Sequence, residues 1–326
     1  MPKVLHIGPC DSPGGMANVM RTLAEHPPEG WEAELLSSHV VGSPWAKWRA
    51  YRRARNVLSK MLNDDTRRPD IVHLHTAADW SWRRKSSFLS YAQKQDIPCV
   101  VHIHSGKFDS WLGDTSSSRS KSLRKQLSHP RTQAVVLSSD WKVRLESKLG
   151  PLFSVSNPLH PDIKQNIGER DDCHLVLLGR NDPVKGHAFA EKVASFLKTN
   201  HPRLRLTMTG VENSSENWID ARGWVTEDEK HKLLQKATVL LLPSVHEGQP
   251  MIVIEALASG LPVIASSHLT SLPDEVIRSG PSVLEWAETI SEVIRSPKRV
   301  LFNSSKYNIN EVSNRWKECY TSLIDN

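Results

Sequence analysis

Two acids eight positions apart, Glu247 and Glu255, bracket a turn and a helix in the stretch SVHEGQPMIVIEALASG. A carboxylate in a loop that runs into a helix can accept hydrogen bonds from the hydroxyls of a polyol, while the N–H groups of the first helical turn hold an oxyanion. The backbone of Gly248, Gln249, Pro250 and Met251 is the candidate phosphate holder, with Pro250 read as the first helical residue, where its missing N–H costs nothing. The helix from Met251 to Ala258 carries one charge, Glu255, and a carboxylate on so apolar a helix must find a partner. Further upstream, Gly179-Arg180 ends an apolar run and Lys185-Gly186 opens a helix. Two cations beside a helix N-terminus make a cradle for a diphosphate. The plainer alternative makes Glu247, Arg180 and Lys185 solvated loop charges and Glu255 a core carboxylate tied to a nearby lysine or cap.

These residues need strands and helices to hold them. Thr238 to Leu242 is a short apolar run closed by Pro243, which reads as a buried parallel strand, and Gly260 with Leu261-Pro262 stops the helix that follows. The chain opens in the same way, with a strand over Lys3 to Ile7, a Pro/Gly-rich turn containing Gly14 and Gly15, and a helix. Strand and helix signals then alternate: strands over 31–37, 70–75, 99–104, 134–138, 174–178 and 204–208, helices over 47–62, 88–95, from 139, and over 227–236. Such winding implies parallel sheets. The serine-rich, basic segment 110–125 has no hydrophobic period and reads as a mobile loop. A final helix places Ile309, Val312, Trp316 and Tyr320 on one face.

The strands DIVHLH and CVVHIH each end in paired histidines, His73 with His75 and His102 with His104, and period-two spacing puts each pair on one face. A metal site is one reading; the absence of a carboxylate at motif spacing argues for no metal.

At 326 residues the chain is long enough for two domains. Its net charge of +6 is uneven, because residues 1–157 hold 23 Lys+Arg against 14 Asp+Glu. That asymmetry suits an anionic partner or plain solubility. Four scattered cysteines read as reduced thiols in a cytoplasmic protein, and no apolar run is long enough to span a bilayer, so any membrane contact is peripheral, at the inner face. Residues 45–62 place Trp48, Tyr51, Ala54, Leu58 and Met61 on one stripe beside Arg49, Arg52, Arg53 and Arg55. This is the composition of an interfacial helix, although the same stripe would pack a helix onto a sheet. A second aromatic and basic cluster is Trp80, Trp82, Arg83, Arg84 and Lys85.

EGQPMIVIEALASGLPVIAS resembles the Glu-x7-Glu region of retaining glycosyltransferases of the family-4 type, with Gln249-Pro250 where those enzymes more often have Phe-Gly. The spacing of Arg180 and Lys185, the Gly14-Gly15 turn and the FSVSNP strand and turn fit the same family. The resemblance implies the GT-B fold, two doubly wound Rossmann-like α/β domains facing a cleft: 1–157 for the acceptor, 158–302 for a nucleotide-sugar, and 303–326 crossing back to the first domain. It also implies roles. Arg180 and Lys185 neutralise the departing nucleoside diphosphate, Glu255 binds the ribose, Glu247 binds sugar hydroxyls, His104 touches the donor sugar, and Gly14 and Gly15 lie against its phosphate. With no Asp-x-Asp in the chain, transfer is expected to need no metal and no cofactor beyond the donor, with retained configuration and a glycan or lipid-linked acceptor of the cell envelope. The alternatives are a nucleotide-sugar epimerase of the same architecture, which needs no acceptor, and a non-enzymatic anion-binding protein; nucleic acid lacks any recognition motif here.

Overall fold

Short runs of leucine and β-branched residues, closed by Gly, Pro or Ser, become the strands of two all-parallel sheets in the computed structural model, which describes residues 1–165 and 168–325. The chain divides into two units, Met1–His160 with Ser305–Asn326, and Pro161–Ser304. Residues 166, 167 and 326 lie outside the described residues.

In the first unit, β1 (Lys3–Gly8), β2 (Glu32–Ser37), β3 (Ile71–Thr76), β4 (Cys99–Ile103), β5 (Thr132–Val136) and β6 (Leu152–Ser154) pair in the order β2-β1-β3-β4-β5-β6. The connections are helical: α1 (Gly15–Glu25), α2 (Pro44–Leu62), α3 (Trp80–Lys94), α4 (Phe108–Leu112), α5 (Ser118–Leu127) and α6 (Ser139–Leu149). Strand order reverses between β1 and β3, so the crevice of this sheet opens at their carboxyl ends. The C-terminal helix α11 (Ile309–Ile324) belongs to this unit and buries Val312, Trp316 and Tyr320.

Segment 110–125 is not a loop. Ser117 caps α5 by accepting the Ser120 N–H, and Ser120, Leu123 and Leu127 are buried at helical spacing. The serines that masked this period are a cap and a small packed residue whose hydroxyl donates to Lys148 O, an arrangement visible only once α6 lies alongside. Helix α3 also begins earlier than its apolar signal, taking in the Trp80–Lys85 cluster.

The stripe on α2 divides. Ala54, Leu58 and Met61 are buried in the core, Tyr51 is partly buried with its hydroxyl 2.8 Å from Ser87 Oγ, and Trp48 is 45 % exposed. Packing onto the sheet thus accounts for the stripe from Tyr51 onward.

In the second unit, β7 (His174–Leu177), β8 (Arg205–Met208), β9 (Ile219–Ala221), β10 (Val239–Leu242), β11 (Val263–Ser266) and β12 (Ile277–Ser279) pair in the order β12-β11-β10-β7-β8-β9. Helices α7 (His187–Lys198), α8 (Glu227–Lys236), α9 (Met251–Ala258) and α10 (Val283–Arg295) join them. This sheet reverses between β7 and β10.

Candidate functional site

The candidate residues divide between the two units. In the second, the loops leaving β7 and β10 emerge side by side at the point where strand order reverses, and the Val245 N–H donates to Val184 O at 2.9 Å. Gly186 makes that approach possible: it caps α7 at φ +76°, and a Cβ there would stand 2.6 Å from Pro243 O. One result is an ion pair between the two groups of residues that stood out in the sequence. Lys185 Nζ donates to Glu247 Oε1 at 2.7 Å, with the Glu247 side chain only 10 % exposed. Arg180 is exposed, its guanidinium 3.3 Å from Asp182 Oδ2 in its own loop.

Pro250 is the residue before the helix, not its first turn; its extended ψ of 110° places Met251 at the start of α9. Its ring has no N–H to offer, so the unbonded donors of that terminus are the Met251 and Ile252 N–H groups. Gly248 is buried and Gln249 partly so.

Glu255 is buried on α9, and its Oε2 lies 2.8 Å from Lys230 Nζ. Lys230 reaches Glu227 as well, at 2.6 Å. Burial works to lower the Lys230 pKa, but Glu255 and Glu227 outweigh it and the pKa is raised, so Lys230 is held as its cation. Sequence reasoning missed Lys230 because TEDEKHK reads as an ordinary solvated helix face. Glu255→Ala would strand a buried cation with one partner, and a loss of about 2 kcal/mol in denaturant unfolding is expected. An unchanged midpoint would show that the pair contributes nothing to folding.

In the first unit, Gly14 caps α1 at φ +126° and Gly15 is its first residue. A Cβ built on either would meet nothing within 4 Å, so packing does not require glycine at 15. His104 follows β4, and its Nε2 is 3.0 Å from His75 Nδ1. His75 Nε2 in turn lies 2.9 Å from His6 Nδ1. A second string runs from Tyr320 Oη to His73 Nδ1 at 2.8 Å and from His73 Nε2 to His102 Nδ1 at 3.3 Å. Strand register assembles this array, pairing His6 with His73 across the switch point and His75 with His102 between β3 and β4, and Trp316 and Tyr320 of α11 pack against it. Burial pushes His6 and His104 down to about 3 and His73, His75 and His102 well below their ordinary value. Neutral imidazole has one donor and one acceptor, so the tautomer of His104 is coupled through His75 to that of His6. His6 was missed in the sequence because a lone histidine in an apolar strand gives no signal until the register of β1 against β3 is known.

Two triads of this array, His6/His73/His75 and His75/His102/His104, have ring nitrogens within 4.8 Å of one another, close enough to hold a metal ion. Both consist of histidine alone. A dication there would disrupt the N···N contacts and add charge to a buried sheet face without a carboxylate in either triad. Three histidines are a donor set that zinc accepts, and here the same ring nitrogens lie against one another.

Residues 162–295 match the family model described as Glycosyl transferases group 1. EpsF of Bacillus subtilis, a protein named as a glycosyltransferase, is 34 % identical over 140 residues, covering 37 % of this chain and 36 % of EpsF. The glycogen synthase of Mycobacterium tuberculosis is 24 % identical over 254 residues, covering 71 % of this chain and 60 % of that protein. The chain therefore spans about a third to three-fifths of the length of these curated relatives. The sucrose-phosphate synthase of Thermosynechococcus elongatus superposes with a TM-score of 0.72 at 14 % identity, covering all of both chains. That likeness, with the two doubly wound parallel sheets, shows the GT-B fold. The group 1 segment contains the Lys185–Glu247 pair, Arg180, Glu255 and the start of α9. Among the described residues, no helix is long and apolar enough to cross a membrane.

Proposed function

We propose that the chain is a glycosyltransferase that moves a sugar from a nucleotide-sugar to an acceptor hydroxyl, with retention of configuration and without a metal ion. The observation that carries this reading is the Lys185–Glu247 pair at the switch point of the second sheet, beside the N-terminus of α9. Lys185 and Arg180 neutralise the diphosphate, helped by the Met251 and Ile252 N–H groups, and this is where negative charge grows as the sugar C1–O bond breaks. Glu247 accepts hydrogen bonds from sugar hydroxyls, and Glu255 serves the ribose while paired to Lys230. The acceptor oxygen forms its bond to C1 on the face the phosphate leaves, and its proton passes to a phosphate oxygen. On the first unit, Gly14, Gly15 and His104 are proposed to bind substrate.

A thermal-shift panel of UDP-, GDP-, ADP- and TDP-sugars tests the reading, since a ligand of the native state raises its melting point by mass action. One donor should stabilise the protein with excess EDTA present. Transfer only with added acceptor supports glycosyl transfer, whereas isomer or free sugar formed from donor alone would make the chain an epimerase. No shift with any donor would overturn both.

The acceptor is proposed to be lipid-linked or part of the cell envelope, met at an anionic membrane surface. Trp45 and Trp48 stack at 4.6 Å and are 62 % and 45 % exposed, Arg52 lies over the Trp48 ring, and Trp80 is 69 % exposed with Arg83 over it. Trp48, Arg49, Arg52, Arg53 and Lys60 line a surface cavity of about 490 Å³. Arg55 is excluded from this role, because it donates to Ser87 O and stacks on Tyr91. In liposome flotation, wild type should rise with vesicles containing anionic lipid at low salt, each cation near the surface contributing about 1 kcal/mol. Changing Arg49, Arg52 and Arg53 to Glu should abolish this. Failure of wild type to float would leave a soluble acceptor.

A further inference from the structure

Lys85 is a cation that the donor site does not explain. It stands on α3, 1 % exposed, and its Nζ donates to Ser38 Oγ at 2.8 Å. Ser38 sits just beyond β2 and is fastened to the end of β1, its N–H and hydroxyl both donating to Gly8 O at 2.8 and 3.2 Å. Ser12 Oγ donates to the carbonyl of His39 at 3.3 Å, so the turn 8–12 and the segment after β2 form one wall. The surrounding charges have the same sign. Arg84 is partly buried beside Lys85 and its Nε is buried without a hydrogen-bond partner. His39 follows Ser38 and is also partly buried; burial first, then the positive charge of Arg84, Lys47 and Lys85, lowers it to about 4. Burial and Arg84 together lower Lys85 to about 7. Arg21 is already committed, donating to Cys10 O and Asn18 Oδ1. Among the described residues, no carboxylate lies within ion-pair distance of Lys85, Arg84, His39 or Lys47, and the exposed Asp11 on the same turn pairs with none of them.

Cations drawn together away from water repel one another and lose hydration, a cost that an anion seated among them removes. We propose that Lys85 and Arg84, beside the Ser38-His39 segment, form an oxyanion site that takes the phosphate or carboxylate of an anionic acceptor, separate from the diphosphate cradle at Arg180 and Lys185. The arrangement suits that ligand chemically. A buried amine with a fixed serine partner is a point charge once protonated, and Arg84 offers a planar fork with an unbonded Nε–H. The oxyanion is chemically inert in the reaction and serves to select and orient the acceptor.

The word acceptor rests on the glycosyltransferase reading, but the site can be tested without turnover. Wild-type protein would be titrated calorimetrically with inorganic phosphate and, separately, with glucuronate, both at constant ionic strength set by chloride. One saturable site for either probe is expected, and the probe that binds names the source of the charge. Lys85→Met, which keeps the stem, and Arg84→Gln should each weaken binding at least tenfold while leaving the nucleotide-sugar thermal shift unchanged. If Lys85→Met does not fold, Arg84→Gln carries the same comparison at a partly exposed position. Binding of neither probe to wild type, or undiminished binding in a folded variant, overturns the site. Displacement of the probe by bare nucleoside diphosphate would assign the cluster to the donor and overturn the acceptor role. If the oxyanion binds and no nucleotide-sugar does, the glycosyltransferase reading fails and the site stands.

Discussion

Stability of the first unit should fall steeply as pH drops from 6.5 to 5. His6, His73, His75 and His102 are fully buried and neutral in the fold, with pKa values pushed down by burial, to about 3 for His6 and well below the ordinary value for the others. Unfolded, each takes a proton near pH 6.5. Below that pH the unfolded chain binds more protons than the folded one, so stability rises with pH across this window; it is full above 6.5 and lost as pH falls toward the folded values. Each group contributes about 1.4 kcal/mol per pH unit, and the four together roughly 5, against a total of about 5–15 for an ordinary domain. Carboxylates titrate lower, so the window isolates the histidines. The measurement is denaturant unfolding at a series of pH values, followed by Trp31 and Trp316, which both pack against Tyr320. His102→Gln or His6→Gln should reduce the slope by about one proton whatever it does to stability at pH 8. A stability that stays level between pH 6.5 and 5 would mean that these rings are not buried neutral.

Lys185→Met should lower turnover at saturating donor by about 10²- to 10³-fold, the usual effect of losing one preorganised charge where negative charge develops. The thermal unfolding midpoint should move little, because Lys185 keeps some exposure and its stem lies over Gly179 without entering the core. Glu247→Gln should also lose activity while folded. Because the two groups touch, the double variant should cost much less than the sum of the singles, a coupling that residues acting separately on phosphate and sugar would not show. Near-normal turnover of a folded Lys185→Met would withdraw both assignments, and strictly additive losses would remove the coupling.

How much of this was legible in the sequence depended on whether the signal was local. β10, α9 and the Gly260 stop were readable because a continuous apolar run, a proline and a left-handed glycine each act within a few residues. Lys185 and Glu247 could be named separately, but their pairing could not, because it depends on Gly186 letting one loop lie against Pro243 of another strand's loop. Helix α5 was hidden by composition: its serines serve as cap and packing residue, roles set by α6. Lys85 was read only as part of an aromatic and basic cluster, since nothing in WSWRRKSS distinguishes the arginine that stays outside from the lysine that turns inward.

The first unit is built from both ends of the chain, with residues 161–304 inserted between them. During synthesis, β1 to β6 leave the ribosome long before α11, so His73 must wait for Tyr320 and the histidine face stays uncovered while the whole second unit is made. The later-synthesised unit is then free to finish first, reversing the usual N-terminal-first order. A chain stopped before residue 309 should therefore hold a completed second sheet and a first sheet whose buried imidazoles are still open to water and protons.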